Sequence, residues 1–444
     1  MDQKTSESSE LIYKLNDKPP LAETLFAALQ HLLAIFVPIM TPALIISSAL
    51  NLDLTTTSYL VSLSLFMSGI STFIQVRKFG MVGSGILSIQ GTSFSFIDPL
   101  IGAGQIGGLS LIFGLCLAGS PIEMIISRFI TFMKRIITPA VSGSVVLLIG
   151  LVLVKTSIIE IGGGQVALQN GTFAAIANLI TAFSVLLTIV LLNSINNRYL
   201  RMGSILLGLA AGYLVAAIAG ILDIGSTEHS NLIIFPTPFK YGFDFHFSAF
   251  IPVALIYLIT AIESMGDITA TSVVSGEPVE GKIYFRRISG GVMGDGVNSM
   301  LASIFNSFPM TTFSQNNGVI QLTGIASRYV GYFVAAFLVI LGLFPVIGRF
   351  FSMMPSPVLG GATLLMFGTV AAAGIKILHQ SALNRHELLV VAIAVSTGIG
   401  VELVPEILSN LPEGFQHFFR SGITTGATFA IITQLIVGKA NYKD

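Results

Sequence analysis

The chain has 444 residues, 53% of them hydrophobic and only 10% charged, with a mean hydropathy of +0.85. Lysine plus arginine balance aspartate plus glutamate at 22 each, which excludes a nucleic acid or an acidic macromolecule as the partner. At roughly 20 apolar residues per crossing, this is an integral membrane protein in the lipid bilayer, with about fourteen spans and no separate soluble domain.

Residues 1–20 are charged, end in Pro19-Pro20 and read as a cytoplasmic tail, with neither the basic n-region nor the short apolar stretch of a cleavable signal. Apolar spans follow at approximately 24–48, 56–75, 83–100, 106–127, 136–153, 172–193 and 202–222. A second series runs at approximately 249–274, 289–308, 314–328, 330–347, 357–373, 388–404 and 421–438. Arg77-Lys78, Arg128 with Lys134-Arg135, Arg198 with Arg201, Lys282 with Arg286-Arg287, Arg328, Lys376 with Arg385, and Lys439 with Lys443 fall on one side of this count. That side is predicted to be cytoplasmic and to hold both termini. The opposite loops carry Asp53, Asp223, Glu228, Glu402, Glu406 and Glu413, with Lys155, Lys240 and Arg349 as exceptions. The single cysteine, Cys116, lies in an apolar run and reads as packing.

Two spans are polar and glycine-broken. The third reads G-S-G-I-L-S-I-Q-G-T-S-F-S-F, and the tenth lies within P-M-T-T-F-S-Q-N-N-G-V-I-Q-L-T-G, from Pro309 to Gly324. Non-helical backbone at bilayer depth is tolerated only where protein buries it or a water-filled cavity meets it, so the second stretch is predicted to line a cavity. Met310 to Ser314 is β-prone, and Asn316 or Asn317 is predicted to cap a short helix through Val319, Ile320 and Leu322 to Thr323. Its N-terminus, with the Gln315 and Asn316 carboxamides, would then point into the cavity. Thr92-Ser93-Phe94-Ser95 resembles Thr311-Thr312-Phe313-Ser314 at an offset of 311 − 92 = 219, close to half the chain. Seven spans per half is an odd number, so the halves must insert in inverted orientation. The expected fold is therefore all-α and polytopic, two inverted seven-span repeats with short antiparallel strands in broken spans 3 and 10 and the substrate between them.

Charges within the membrane single out further residues. Glu263 and Asp267, four apart in A-I-E-S-M-G-D-I-T-A-T, share a helical face, and Asp295 sits between glycines in the next span. Neither lysine nor arginine is placed to pair with them, so they must face water, one another or a hydrogen-bonding ligand. A buried acid held only by Ser, Thr or backbone donors is the plainer reading, closest to hand for Asp267 with Thr269 and Thr271 nearby. The functional reading is proton uptake and release during transport. His31 is read as the remaining titratable group inside the membrane, and a lone histidine on a helix is more often structural than a relay. Phe94 and Phe313 stand out among 32 phenylalanines only by their place in the broken segments, where a flat heteroaromatic ligand would profit from an aromatic face.

At these residues the sequence resembles the nucleobase-ascorbate transporter family. Gln315-Asn316-Asn317-Gly318 through Thr323-Gly324 matches the family signature without a gap, and Q-H-L-L-A-I-F-V-P from Gln30 and I-E-S-M-G-D-I-T-A-T from Ile262 extend the similarity, nearest to the bacterial xanthine permease branch. The resemblance implies a homodimer in the bacterial cytoplasmic membrane, with a core domain of residues 21–128 and 246–348 and a gate domain of residues 129–245 and 349–444. It implies proton-coupled import of a small oxopurine, xanthine or urate, driven by the proton gradient without any cofactor, metal or enzymatic step. Carried over by position, Glu263 and Gln315 would hydrogen-bond the purine and Phe94 would pack on its ring, with Ser93, Ser314 and Asn316 completing the binding set. Asp295 would couple protons, supported by Glu263, Asp267 and His31. Xanthine-selective relatives tend to carry Asn where this chain has Ser93, which implies a wider specificity. A permease for uracil or another nucleobase is the alternative within the family. An anion exchanger or channel of the same architecture is the alternative outside it, disfavoured by two carboxylates beside the half-helix N-terminus. An intramembrane hydrolase is weaker still, since the chain has no H-E-x-x-H.

Overall fold

The computed structural model describes residues 11–130, 138–222, 233–380, 383–412, 415–416 and 419–438. Residues 1–10 of the tail and the loop charges Lys134, Arg135, Asp223, Glu228, Glu413, Lys439 and Lys443 lie outside the described residues. The first half contains α1 (Leu21–Ala49), α2 (Leu54–Arg77), β1 (Gln90–Thr92), α3 (Ile97–Ile126), α4 (Pro139–Ile161), α5 (Ile176–Ser194) and α6 (Ser204–Ile218). The second contains α7 (Phe247–Val274), α8 (Gly281–Ile304), β2 (Met310–Thr312), α9 (Gln315–Thr323), α10 (Arg328–Leu343), α11 (Pro345–Ser352), α12 (Ser356–Gln380), α13 (Arg385–Leu403) and α14 (Gly422–Gly438). Among the described residues, eight helices are long and apolar enough to cross a membrane, and α10 with α11, bent by 74°, makes a ninth if the pair is one span. The chain is a polytopic, mostly helical membrane protein.

Helix starts follow local chemistry. The Asp53 carboxylate accepts the Thr56 N–H at 3.0 Å and satisfies one of the four amides left open at the head of α2. Thr138 caps α4 with Pro139 in its first turn, and Asn384 and Glu387 form a reciprocal capping box on α13. Helix α3 breaks at Gly107 and Gly108, the latter at φ +64°, so residues 97–106 form a half-helix and residues 109–126 a separate segment. The third span, expected as one stretch over 83–100, is thus a strand followed by a half-helix.

β1 and β2 pair antiparallel, Gln90 with Thr312, Gly91 with Thr311 and Thr92 with Met310. A two-stranded sheet has two open edges, and lipid cannot satisfy them. Hydroxyls from neighbouring helices do so here. On α2, Thr72 Oγ1 accepts the Gln90 N–H at 3.0 Å and the Ser68 hydroxyl donates to the Gln90 carbonyl. On α8, Ser299 Oγ accepts the Met310 N–H at 3.0 Å and donates to the Met310 carbonyl at 3.2 Å. The Ser and Thr residues buried in these two helices are the counterpart of the strands. Thr92 Oγ1 donates to the Ile39 carbonyl and ties β1 to α1.

α2 packs along α10, α3 along α7 and α8, and α4 along α12, with α13 and α14 paired beside α4 and α5 beside α6. The segment read as a cytoplasmic tail is docked against the helices from residue 11 onward. Ile12 N–H donates to Gly324 O at 2.8 Å and Ala326 N–H to Tyr13 O at 2.9 Å, so the chain start clasps the end of α9. Two of the basic exceptions on the acidic side are accounted for: Lys155 pairs with Glu402 at 2.7 Å, and the Lys240 ammonium lies 3.6 Å from the centre of the Tyr59 ring.

Candidate functional site

The broken segments bring the acids of α7 and α8 to the strand pair. Glu263, half-buried on α7, accepts a hydrogen bond from Ser95 Oγ at 3.1 Å, just beyond β1. Asp267, one turn further along, accepts from Thr312 Oγ1 of β2 at 3.3 Å. The plainer donors named from sequence are taken elsewhere: Thr269 pairs with the Tyr284 hydroxyl at 2.9 Å, and Thr271 donates to Asn317 Oδ1 at 2.7 Å. Asp295 on α8 is fully buried; Ser264 Oγ donates to one of its oxygens and Gln75 Nε2 to the other at 3.4 Å. Each acid is held by neutral donors. The ion pairs of Lys155 with Glu402 and Arg287 with Glu277 include none of them. Among the described residues, no group of three or more His, Cys, Asp and Glu side chains is arranged to hold a metal ion.

Ser93 continues the pairing, its N–H donating to Pro309 O at 2.9 Å, while its hydroxyl is buried without a hydrogen-bond partner. The half-buried Phe94 ring lies parallel to Phe313, with centroids 6.1 Å apart and planes 8° apart, and meets Phe367 of α12 edge-on at 5.5 Å. Gly91 makes this possible: a Cβ there would lie 2.4 Å from the Phe313 ring. Ser314 and Gln315, at the head of α9, are exposed.

The asparagine cap expected for α9 is not there. The helix starts at Gln315, and Ser314 holds the cap position without a side-chain bond. Both asparagines are drawn sideways into the protein instead: Asn316 Nδ2 donates to the Leu87 carbonyl, and Asn317 accepts from Thr271. Asn316 therefore braces the polar stretch before β1, and its carboxamide does not point into open space. His31 is fully buried on α1 with neither ring nitrogen hydrogen-bonded, away from the acid cluster's bonds.

His31 is also not the last titratable group in the membrane. Glu123 on α3 is 1% exposed and accepts Thr260 Oγ1 at 2.6 Å, and Glu160 on α4 is 2% exposed and accepts Ser48 Oγ at 2.8 Å. Both are visible in the sequence as single acids in apolar runs. Their nearness to span ends, beside Arg128 and Lys155, makes them read as interfacial. None of these acids lines the cavity of about 480 Å³ formed by Asn51, Gly104, Gln105, Gln165 and Gln169 among others.

Two broken segments whose strands meet among one buried and two half-buried carboxylates, none of them ion-paired, define a membrane transporter. Residues 22–407 match the family model described as Permease family. The chain is 48% identical over 441 residues to the xanthine permease XanP of Escherichia coli strain K12, covering 97% of this chain and 95% of that one. It is 46% identical over 438 residues to the xanthine permease XanQ of the same strain, covering 97% and 94%. The chain belongs to this permease family, the nucleobase-ascorbate transporters, and is a transporter rather than an enzyme. Its fold is similar to the transmembrane domain of the cyanobacterium bicarbonate transporter BicA, with a TM-score of 0.62 over 96% of this chain and all of that one; at 13% identity the likeness is one of fold alone.

Proposed function

We propose that the chain is a proton-coupled symporter that imports an oxopurine, xanthine first and urate second, across the bacterial cytoplasmic membrane. The observation that carries this reading is the junction of the two broken segments. There Glu263 and Asp267 are each tied by one hydroxyl to a different segment, beside the exposed Ser314 and Gln315. A planar heterocycle with amide edges suits such a site, because a carboxylate and a carboxamide can pair with its N–H and C=O groups. Kinship with proteins named xanthine permeases supports the purine over a pyrimidine.

In this reading Glu263 and Gln315 clamp the purine, Phe94 offers it a ring face, Ser93 sets the width of the pocket, and Ser314 adds a hydroxyl. Asp295 exchanges the coupled proton, and Asp267, Asn316 and His31 hold the frame. About fourteen spans form two inverted repeats, with both termini cytoplasmic. Residues 21–128 and 246–348 form a core that moves against a gate of residues 129–245 and 349–444, in a homodimer. The packing of α2 on α10 and of α4 on α12 agrees with that division, as does the cavity whose lining is drawn from both bodies.

The test is uptake of radiolabelled xanthine into cells expressing the protein, competed by urate, uracil, guanine and hypoxanthine, with and without a protonophore. Uptake blocked by urate and abolished by the protonophore is the expected result. Competition by uracil alone would assign a pyrimidine substrate, and uptake indifferent to the protonophore would remove proton coupling.

A further inference from the structure

We propose that Glu123 is a second proton-binding residue of this transporter, exchanging its proton in concert with Asp295. The inference rests on the proton-coupled reading above and deepens it.

The geometry begins with two close helix crossings. A Cβ on Gly296, the residue after Asp295, would lie 3.0 Å from the Met124 amide nitrogen and 3.0 Å from the Ser120 carbonyl, so α8 touches the backbone of α3 on either side of Glu123. A Cβ on Gly119 would lie 2.4 Å from the Tyr257 ring, and the Tyr257 hydroxyl donates to the Cys116 carbonyl at 2.8 Å, which seats α7 one turn below. Thr260 of α7 then donates to Glu123 Oε1 at 2.6 Å. The second oxygen, Oε2, is buried without a partner.

Of the titratable groups on helices packed against α3, Asp295 of α8 and Glu263 of α7 act on Glu123, and Tyr257 is committed to Cys116. On α1, His31 makes no hydrogen bond. Among the described residues, neither ion pair involves Glu123. Two carboxylates buried at one crossing strongly disfavour ionising together without a compensating cation, so the pair retains at least one proton between them. Glu123 differs from a permanently neutral acid in having a hydroxyl donor at one oxygen, Thr260, whose proton also has the Ile256 and Tyr257 carbonyls in reach but lies nearest the carboxylate. That bond stabilises its ionised form, and the acid can release its proton when Asp295 takes one up.

The experiment measures initial xanthine uptake against pH in proteoliposomes containing the full chain, for wild type, Glu123→Gln and Thr260→Val. Removing the neighbouring charge eases ionisation of Asp295, so Glu123→Gln is expected to move the midpoint of the profile to lower pH by about one unit. Removing the donor makes Glu123 hold its proton more tightly and so stay neutral beside Asp295, and Thr260→Val is expected to move the midpoint in the same direction by less. A displaced midpoint, as opposed to a lower maximal rate, is not produced by simple loss of packing. If Glu123→Gln does not reach the membrane, Thr260→Val decides alone. Midpoints unchanged in the variants, while wild type keeps its pH dependence, would overturn the role of Glu123 and leave proton coupling standing. A wild-type profile that is flat would overturn proton coupling itself, and this inference with it.

Discussion

After β1 the chain runs through Ser93, Phe94 and Ser95 into a half-helix opening with Ile97 and Asp98; after β2 it runs through Phe313 and Ser314 into one opening with Gln315 and Asn316. The strands themselves are near equivalents, each three residues long and buried, each with one outer-edge residue, Gln90 or Met310, bonded to hydroxyls of a neighbouring helix. Their continuations are not equivalent. The first segment presents a ring and buried hydroxyls, of which the Ser93 hydroxyl has no partner, whereas the second presents an exposed hydroxyl and an exposed carboxamide. The antiparallel strand pair thus supplies a near-symmetric frame, and the divergence of the chain beyond it gives the junction two different surfaces.

The comparison breaks most sharply at the polar edge. If the second segment and α7 grip the purine together, removing either partner leaves buried hydrogen-bonding groups unpaired, at about 1–3 kcal/mol for a neutral partner and more for a charged one. Gln315→Ala and Glu263→Gln are therefore expected to weaken xanthine binding by about tenfold to more than a hundredfold, while the protein still reaches the membrane. Calorimetry on the purified variants checks this. Wild-type affinity in either variant removes that residue from the site.

Asp295 is fully buried, held by Ser264 of α7 and Gln75 of α2, with the Gln90 side chain of β1 and the Thr312 backbone of β2 also acting on it. Asp295→Asn is accordingly expected to abolish accumulation against a gradient while retaining more binding than Glu263→Gln. The readout is steady-state xanthine accumulation beside equilibrium binding. A variant that still concentrates substrate and still responds to a collapsed proton gradient contradicts the assignment.

The frame itself can be broken at one position. Gly91 pairs with Thr311 across the strands, and the Phe313 ring lies where a Cβ on Gly91 would go. Gly91→Ala forces that ring aside, an overpacking cost of about 1–3 kcal/mol, and is expected to lower both the melting temperature and uptake. Gly91→Ala combined with Phe313→Leu should recover part of the stability. Equal melting temperatures for Gly91→Ala and wild type would show that the ring moves freely.

Much of this site is legible in the sequence. The two polar, glycine-marked stretches could not be ordinary spans, and Glu263, Asp267 and Asp295 are conspicuous in apolar helices without a cation. Bond partners are not legible, because they depend on which helix crosses where. Asn316 and Asn317 carry the residue type of a helix cap, yet tertiary bonds to Leu87 and from Thr271 override that preference. Glu123 escapes notice because hydropathy places it near a span end, whereas the glycine crossing at Gly296 places it beside Asp295. The docking of residues 11–17 is equally invisible, since backbone pairing to Gly324 and Ala326 needs no particular side chain.

The smallest expected effect concerns Ser93, where the family resemblance implies an Asn in xanthine-selective relatives. Its hydroxyl is buried and unpaired in the protein, so a donor stands ready beside the Phe94 ring. Urate differs from xanthine in its five-membered ring, which carries an oxygen on C8 and an added N–H. A serine leaves room for that oxygen and can donate to it, whereas an asparagine fills the space. A roomier pocket discriminates only weakly, while a site with dedicated hydrogen-bonding groups discriminates strongly, so both purines are expected to bind. Ser93→Asn should weaken competition by urate and by 8-methylxanthine about tenfold and keep xanthine uptake, a difference of the size expected when a neutral hydrogen bond is lost. Competition assays against radiolabelled xanthine read this directly. Should wild type ignore both competitors, or Ser93→Asn leave their inhibition constants unchanged, the width of the pocket is set by another residue and the divergence of the first segment lies in its ring alone.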